Sequence, residues 1–300
     1  HWLIEHDKKL SFIMSGSSAR KLKRAQANLL GGRALNFQLY PFTHSELGAD
    51  FNLHKALSIG TLPAIYLEND PEIAKAKLRS YVETYIEEEI KAEALVRNMG
   101  TFLRFLKFAA NENGNIINYS NIARETANKA KDVKEYFQIL EDTLIGFFLL
   151  AYSKSTRKRL IQHPKFYFFD TGVQRALARK LELELERSTY DYGDCFEHFI
   201  IKEIIHLSRY KQKDYEFSYY RTENDAEVDL IVETPEKKVY AIEIKSSTNP
   251  RKGDLKGLKS FKAVCPQAVC ICASQVEYAR HYDDLDIVPW QEVFKILGLD

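Results

Sequence analysis

The sequence predicts a multidomain α/β protein on the basis of length, composition and the order of its segments. The chain has 300 residues, enough for roughly two or three domains, and 45% of them are apolar, with a mean hydropathy of -0.35. Strand-like and helical segments alternate near both ends of the chain, and three helical segments followed by two strands lie between them. This order is typical of an α/β protein with a helical domain in its middle.

The composition argues against several classes of protein. No apolar run approaches the roughly 18 residues that a membrane-spanning helix needs, and no secretory signal is recognisable, so we expect a cytoplasmic protein with no membrane partner. The formal net charge is +1, so nucleic-acid binding would depend on local basic patches. The cysteines do not have the spacing of a zinc site and are predicted to be buried thiols: Cys195, Cys265, Cys270 and Cys272.

Residues 1–50 are predicted to form one half of a parallel α/β unit. A strand at 10–14 leads into a Gly/Ser turn at 15–18 and then into a helix that begins at Ala19. The phosphate-loop pattern G-x-x-x-x-G-K-[ST] is absent from the sequence. The chain also begins with His1 rather than Met, so we expect a fragment of a longer or processed protein.

Residues 51–98 are predicted to be a helical connector. Pro71 suits the first position of a helix, and apolar residues recur at helical spacing from Lys77 to Ala94. The acidic run at 87–89 is expected to be a solvated helix face.

Residues 99–187 have the element order of a winged helix-turn-helix. Three helices are predicted, the second capped by Ser120, followed by strands at 147–152 and 165–169 and a turn capped by Asp170. The third helix would enter the major groove, and the turn between the strands would contact phosphates. The basic residues expected to bind DNA are Lys129, Lys131, Lys134, Lys154, Arg157, Lys158 and Arg159. The same domain could instead pack on a partner protein.

Residues 188–300 carry charges in an apolar setting. Asp229 lies in a strand at 227–232, and Glu243 and Lys245 lie in a second strand at 239–245. Side chains alternate faces along a strand, so Glu243 and Lys245 point the same way. An amphipathic helix at 196–205 precedes these strands and contains Glu197.

Asp229 followed by Glu243-Ile244-Lys245 resembles the Asp…Glu-x-Lys core of the restriction-endonuclease-like, PD-(D/E)XK nucleases. The resemblance implies that Asp229 and Glu243 hold Mg²⁺ or Mn²⁺, aided by the main-chain carbonyl of Ile244, and that Lys245 orients the attacking water. In such folds a glutamate of the first helix lies near the metal, and Glu197 matches that position. The catalytic set implied is therefore Asp229, Glu243, Lys245 and Glu197.

The N-terminal part is similar to a bacterial and archaeal family of AAA-type ATPases. The segments that carry this similarity are 14–22, 32–35 and 39–42, with Glu46. Members continue into a winged helix and a C-terminal domain of unknown function with a restriction-endonuclease-like fold. The resemblance implies that the Walker A and B segments lie upstream, so that only an intact protein binds ATP. Ser17 would sense the γ-phosphate, or merely cap a helix. Arg33 would face nucleotide or a neighbouring subunit, or merely form a surface ion pair.

Together these features predict four regions: an ATPase remnant at 1–50, a helical connector at 51–98, a winged helix at 99–187 and an endonuclease-like domain at 188–300. We expect an ATPase coupled to a DNA-directed, metal-dependent nuclease module, with DNA and a protein partner or further copies of the chain as its partners. The alternative is a non-catalytic module that binds DNA or a protein under ATPase control.

Overall fold

The computed structural model describes residues 13, 35, 37–86, 90, 98–153 and 163–300. Several predictions fall outside these residues and stay predictions. They concern the strand at 10–14, the two nucleotide-sensing candidates and the basic turn: Ser17, Arg33, Lys154, Arg157, Lys158 and Arg159.

The described N-terminal part is a series of short helices. They are α1 His44–Leu47, α2 Leu53–Ile59, α3 Pro63–Tyr66 and α4 Pro71–Ser80, with a 3₁₀ turn at Gly48–Asp50 and π-helical turns at Tyr81–Ile86. The side chain of Asp70 caps α4 by accepting hydrogen bonds from two amides of the first turn, and Pro71 is the first helical residue, as its sequence position predicts.

Three further helices and two strands follow in the predicted order. They are α5 Met99–Asn111, α6 Tyr119–Glu125, α7 Ala130–Asp142, β1 Gly146–Ala151 and β2 Lys165–Phe168. The predicted cap of α6 is wrong: Asn118 caps it by accepting from the amide of Asn121, and Ser120 lies inside the helix. Asp170 is a cap as predicted, of the helix α8 Thr171–Leu177.

The C-terminal part begins with the longest helix described, α9 Tyr190–Tyr210, which extends beyond the predicted 196–205 at both ends. Residues 181–187 before it form turns and irregular backbone. Then follow β3 Glu216–Arg221, β4 Glu227–Glu233, β5 Val239–Lys245, a 3₁₀ turn Lys252–Leu255, α10 Lys256–Val264, β6 Val269–Ser274, β7 Arg280–Tyr282, β8 Leu285–Pro289 and α11 Trp290–Ile296.

The strands form one mixed sheet in the order β2-β1-β3-β4-β5-β6-β8-β7. Strands β3, β4 and β5 are antiparallel neighbours, and β6 is parallel to β5. Strand β1 pairs in parallel with β3 through Leu150 and Ser218. The hairpin of β1 and β2 therefore extends the sheet of the C-terminal part, and the α/β class predicted from the sequence is confirmed.

Helices cover the two faces of the sheet at β4 and β5. Leu230 and Ile242 are opposite each other and pack in one core with residues of α9. Ile231 and Ala241 are the next opposite pair and pack in another core with Phe261 of α10. A third core joins α5, α7, α8 and β2. Within the described part of the chain, no helix is long and apolar enough to span a membrane.

Candidate functional site

Asp229, Glu243 and Lys245 meet between the central strands β4 and β5. Strand alternation places them on the sheet face that also presents Ile231 and Ala241 to α10. The amide of Ile244 donates a 2.7 Å hydrogen bond to Asp229 Oδ2, and Lys245 Nζ lies 2.6 Å from Glu243 Oε1. The structure thus brings together the three side chains that the sequence singled out.

Burial makes this group of charges costly. Asp229 is 6% and Glu243 5% exposed. Burial, and then the charge of Glu197, raise the pKa of Asp229 to about 7. Burial and the neighbouring Asp229 raise the pKa of Glu243 well above its usual range. Burial lowers the pKa of Lys245, but Asp229 and Glu243 outweigh it, and the net result is a raised pKa. Two carboxylates held this close in a low-dielectric setting favour a bound cation.

The second oxygen of Glu243 strengthens that conclusion. Oε2 is buried and has no hydrogen-bond partner among the described residues, and we call it the open oxygen. Buried carboxylate oxygens without a partner carry a large desolvation cost unless something binds them. Gly257, at the start of α10, allows the helix to come this near, because a Cβ there would lie 3.3 Å from the open oxygen and 1.6 Å from the carbonyl oxygen of Glu227.

Glu197 reaches the same neighbourhood from α9, but strand β2 holds it. The hydroxyl of Tyr167 donates a 2.6 Å hydrogen bond to Glu197 Oε1, and Lys165 Nζ lies 3.5 Å from the same oxygen and 2.6 Å from Glu227 Oε1. Burial and Glu197 raise the pKa of Tyr167 well above its usual range, which keeps the hydroxyl protonated as a donor.

A polar cleft of about 120 Å³ opens beside these residues. Its walls are Asn113, Gly114, Asn115, Ile116, Lys165, Asp194, Glu197, Arg221 and Glu227. The loop at 113–116 is fixed to β2, because the amide of Gly114 donates to the carbonyl of Phe166 at 2.9 Å. Gly114 has a φ of +79°, and a Cβ there would come within 3.1 Å of Tyr167. The glycine therefore suits both the backbone conformation and the contact.

Sequence reasoning missed Lys165, Tyr167, Glu227 and Asp194. Burial, and then Glu197, raise the pKa of Asp194 to about 6. The available signal was the alternation in Lys165-Phe166-Tyr167-Phe168, which places a lysine and a tyrosine on one face of a strand. The sequence did not predict that this face of β2 contacts the C-terminal part. The contact depends on the pairing of β1 with β3, and these strands are far apart in the sequence.

The buried carboxylates of Asp229 and Glu243 are candidate ligands for a metal. Within the described residues, no group of three or more His, Cys, Asp or Glu side chains could hold a metal ion. A hard cation such as Mg²⁺ binds through one or two carboxylates and keeps several waters, so two carboxylates fit it. The four cysteines are buried and unpaired with one another, as predicted.

The basic residues expected on the third helix are exposed. Lys129, Lys131 and Lys134 lie at the start of α7, and Lys131 Nζ is 3.8 Å from Glu135 Oε1 in an exposed i,i+4 pair. The opposite face of the helix buries Val133 in the core with α5. The three lysines are thus accessible to a ligand, and their role in DNA binding stays a prediction.

A second buried cluster, which we call the α9 network, joins α9 to the N-terminal helices. It contains His44, Thr61, Asp170, Lys202 and Glu203. Lys202 Nζ donates to Thr61 Oγ1 at 3.0 Å and lies 4.0 Å from a carboxylate oxygen of both Asp170 and Glu203. The amide of Thr61 donates to Asp170 Oδ2 at 2.8 Å, and the amide of His44 donates to Glu203 Oε2 at 2.9 Å. No exposed surface remains on the side chains of Asp170, Lys202 and Glu203.

Two family models match adjoining stretches of the chain. Residues 50–185 match "Domain of unknown function (DUF8612)" and residues 192–293 match "Domain of unknown function (DUF4143)". The second of these occurs in proteins associated with AAA-type ATPases. The polar cleft lies where the two matched stretches meet, because Lys165 belongs to the first and Glu197 to the second.

The chain is also similar to longer proteins. It is 26% identical over 240 residues to an uncharacterized protein of Mycobacterium tuberculosis, covering 80% of this chain and 53% of the relative. It is 19% identical over 247 residues to an uncharacterized protein of Haemophilus influenzae, covering 75% of this chain and 60% of the relative. The chain thus spans about half the length of the mycobacterial relative that it matches.

Among solved structures, the assembly of Thermococcus gammatolerans McrB AAA+ hexamers with bound McrC is similar over 62% of this chain and 69% of that chain. The identity is 12% and the TM-score 0.25, a level at which the likeness bears on neither fold nor function.

Proposed function

We propose that the C-terminal part of the chain, with the β1–β2 hairpin, is a metal-dependent nuclease module of the PD-(D/E)XK kind that acts on DNA. The observation that carries this proposal is the buried pair Asp229 and Glu243, with the open oxygen of Glu243 beside Lys245. Asp229 raises the pKa of Glu243, and the lysine beside the pair is partly exposed, so a bound cation would stabilise the ionised carboxylates.

The residues fit a divalent cation. Asp229 and Glu243 would hold Mg²⁺ or Mn²⁺, and the carbonyl of Ile244 would assist them. Strand residues project their N–H and C=O to the same side, and the N–H of Ile244 already points to Asp229. When bound, such an ion lowers the pKa of a coordinated water and neutralises charge on a phosphate.

The remaining side chains have separate tasks in this proposal. Lys245 is about one-third exposed at its side chain, so its ammonium can reach a water or a phosphate oxygen while it stays paired with Glu243. It would orient the attacking water and stabilise the charge that develops on the phosphate. Glu197 would accept a hydrogen bond from a water on the α9 side of the pair.

We further propose that an intact protein couples this module to an AAA-type ATPase. The similarity of segments 14–22, 32–35 and 39–42 to such ATPases supports this coupling, as does the occurrence of the second matched domain in ATPase-associated proteins. ATP would bind only in the intact protein, with Ser17 and Arg33 as candidate sensors. Further copies of the chain or a protein partner would complete the assembly.

The test combines metal binding with cleavage. The full chain is titrated calorimetrically with Mn²⁺, and plasmid and single-stranded DNA are incubated with Mg²⁺ or Mn²⁺, with and without ATP. We expect Asp229→Asn and Glu243→Gln to abolish both binding and cleavage. Lys245→Met should bind Mn²⁺ yet cut about 100-fold more slowly, since one stabilising donor is removed.

Matched controls come from exposed positions. Glu277→Gln and Lys238→Met remove the same charges from surface loops and should behave as the parent chain does. If the parent chain neither binds Mn²⁺ nor cuts any DNA form, the nuclease proposal is wrong.

The second candidate function is a non-catalytic module that binds DNA or a protein partner under ATPase control. One observation favours it: the described residues include no group of three or more metal-ligating side chains. This module would bind through the exposed lysines of α7, and removal of divalent ions would not change its affinity. Retention of DNA binding by Glu243→Gln, with no cleavage by the parent chain, would favour this alternative.

A further inference from the structure

We infer that Tyr167 and Lys165 of strand β2 are positioning residues for Glu197, so that the metal site is completed by a hairpin from the other matched region. This inference rests on the proposed nuclease function. It adds that residues 188–300 do not hold a complete site by themselves.

The contact of Tyr167 is the most direct support. Its side chain is fully buried, and its hydroxyl donates to Glu197 Oε1 at 2.6 Å. A glutamate on a helix has several rotamers, and a buried donor at this distance selects one of them. Gly114 lies close to the Tyr167 ring, because a Cβ there would come within 3.1 Å of it, so little space is left for the buried ring to move.

Lys165 acts from the same strand face, two residues earlier. Its side chain is 4% exposed, and its ammonium lies between Glu197 at 3.5 Å and Glu227 at 2.6 Å. It also lies over the ring of Tyr219, 5.6 Å from the centroid. The hairpin thus places one buried positive charge between a carboxylate of α9 and a carboxylate of β4.

The position of Glu197 matters because Lys165 connects it to the strand that carries Asp229. Lys165 Nζ lies 3.5 Å from Glu197 and 2.6 Å from Glu227, and Glu227 lies on the same face of β4 as Asp229, two residues earlier. If Tyr167 and Lys165 did not hold it, Glu197 could adopt another rotamer in the cleft and leave the pair without an acceptor on this side. Outer partners of this kind typically change metal affinity by about 10–100-fold when they are removed.

The β1–β2 hairpin can position Glu197 because it is part of the same sheet as β4. Strand β1 pairs with β3, and β3 pairs with β4, which carries Asp229. The loop at 113–116 binds β2 from its other side through the carbonyl of Phe166. The sheet therefore fixes Lys165 and Tyr167 relative to the strand that carries Asp229.

The test is calorimetric titration of the full chain and its variants with Mn²⁺, together with thermal unfolding of the metal-free proteins. Tyr167→Phe should weaken Mn²⁺ binding about 10-fold. Lys165→Met should weaken it by less, because the loss of a positive charge near the site favours cation binding and offsets part of the effect. Lys165→Arg, which keeps the charge, should restore part of the affinity.

The matched control is Tyr215→Phe. The hydroxyl of Tyr215 donates a 2.8 Å hydrogen bond to the carbonyl of Leu297, so this variant also loses one tyrosine hydrogen bond. It should lose some thermal stability, as Tyr167→Phe does, while it binds Mn²⁺ like the parent chain. That difference separates positioning from a merely structural role.

Two results would overturn the inference, and they are distinguishable. If the parent chain binds Mn²⁺ and both Tyr167→Phe and Lys165→Met bind it equally well, positioning by the hairpin is wrong while the proposed nuclease function stands. If the parent chain itself binds no Mn²⁺, the proposed function fails and this inference fails with it.

Discussion

Two buried clusters of charge contact α9, and they are built differently. In the α9 network, Lys202 lies between the carboxylates of Asp170 and Glu203, and backbone amides donate to both carboxylates. At the candidate metal site, Asp229 raises the pKa of Glu243, and one oxygen of Glu243 is the open oxygen. Glu203 Oε1 in the α9 network also has no hydrogen-bond partner among the described residues, but it lies 4.0 Å from Lys202 Nζ.

The difference teaches that burial of charge does not by itself indicate function. Each cluster holds two carboxylates and one lysine, so the two have the same formal charge and differ in their arrangement. A buried lysine enclosed between two carboxylates that also accept amide hydrogen bonds is a device for joining elements. Two adjacent carboxylates beside a partly exposed lysine are costly to ionise together, and a bound cation would offset that cost. Substitutions in each cluster separate these cases, and the largest effect is expected in the α9 network.

Breaking the α9 network should cost the most stability. Lys202→Met keeps the length of the side chain but leaves Asp170 and Glu203 without their buried cation. We expect the free energy of unfolding to fall by about 3–5 kcal/mol, measured by urea denaturation of the metal-free chain.

The control for this variant is an exposed pair. Lys259 Nζ lies 3.3 Å from Asp283, and the two side chains are 41% and 64% exposed. Lys259→Met should cost less than about 1 kcal/mol. A loss below about 1 kcal/mol in Lys202→Met as well would mean that the network does not join the N-terminal helices to α9.

Divalent metal should distinguish the two clusters next. At a concentration 100 times its dissociation constant, Mn²⁺ should raise the free energy of unfolding of the parent chain by about 2.7 kcal/mol. Glu243→Gln should lose this gain entirely. Glu203→Gln makes the same substitution in the α9 network. Its free energy of unfolding without metal should be lower than that of the parent chain, but Mn²⁺ should raise it by the same amount. Equal gains in both variants would place the ion elsewhere.

Acid should act on the histidines of α9. His206 stacks on Tyr40, with ring centroids 4.1 Å apart. Burial, and then Lys202 and His198, lower the pKa of His206 well below its usual range. Burial lowers the pKa of His198 to about 3. Both rings are therefore neutral in the folded chain, whereas the unfolded chain binds protons below about pH 6.5.

Because only the unfolded chain binds these protons, acid lowers the free energy of unfolding. The stability contributed by each neutral histidine is complete above about pH 6.5 and is lost progressively as the pH falls toward the folded-state pKa. At pH 5.5 the loss for one histidine is about 1.4 kcal/mol. His206→Phe retains an aromatic ring against Tyr40 but cannot bind a proton. Between pH 7.5 and 5.5, its free energy of unfolding should therefore fall by about 1.4 kcal/mol less than that of the parent chain. Superimposable pH curves would contradict the neutral state of His206.

Local sequence patterns predicted the elements well where periodicity was strong. Apolar spacing located α5 and α7, and alternation in 239–245 placed Glu243 and Lys245 on one face of β5. Because β4 and β5 are consecutive strands, the meeting of Asp229 with Glu243 needed only a hairpin, which sequence can indicate.

Contacts between distant segments could not be predicted in this way. The pairing of β1 with β3 crosses the whole of α9, and it brings Lys165 to the site, yet no local pattern encodes it. Likewise His198, Lys202 and His206 recur every four residues on α9, a spacing typical of a polar, solvated helix face. The structure buries all three, because residues from elsewhere in the chain supply partners: the carbonyl of Phe168 for His198, Thr61 and Asp170 for Lys202, and Tyr40 for His206.

The smallest effect on folding is expected where charge is exposed, at the start of α7. Lys129, Lys131 and Lys134 are solvated, so changing all three to Ala should alter the free energy of unfolding by less than about 0.5 kcal/mol. Unlike the buried charges, these lysines are expected to affect DNA binding rather than stability. If these lysines neutralise phosphates, the slope of the logarithm of the duplex-binding constant against the logarithm of salt concentration should change. It should become less negative by about 0.9 for each phosphate that is no longer neutralised.

The matched control is a triple variant at Lys213, Lys237 and Lys238, which are exposed around β3, β4 and β5 away from α7. It removes the same net charge and should leave the salt dependence unchanged. A third variant, with Arg157, Lys158 and Arg159 changed to Ala, tests the predicted wing in the same assay. If the salt dependence of DNA binding weakens equally in the α7 and control variants, the net charge of the protein alone attracts DNA. Unchanged slopes and affinities in all three variants would favour a helical domain that binds a protein partner, because its lysines would then lie on a surface that DNA does not touch.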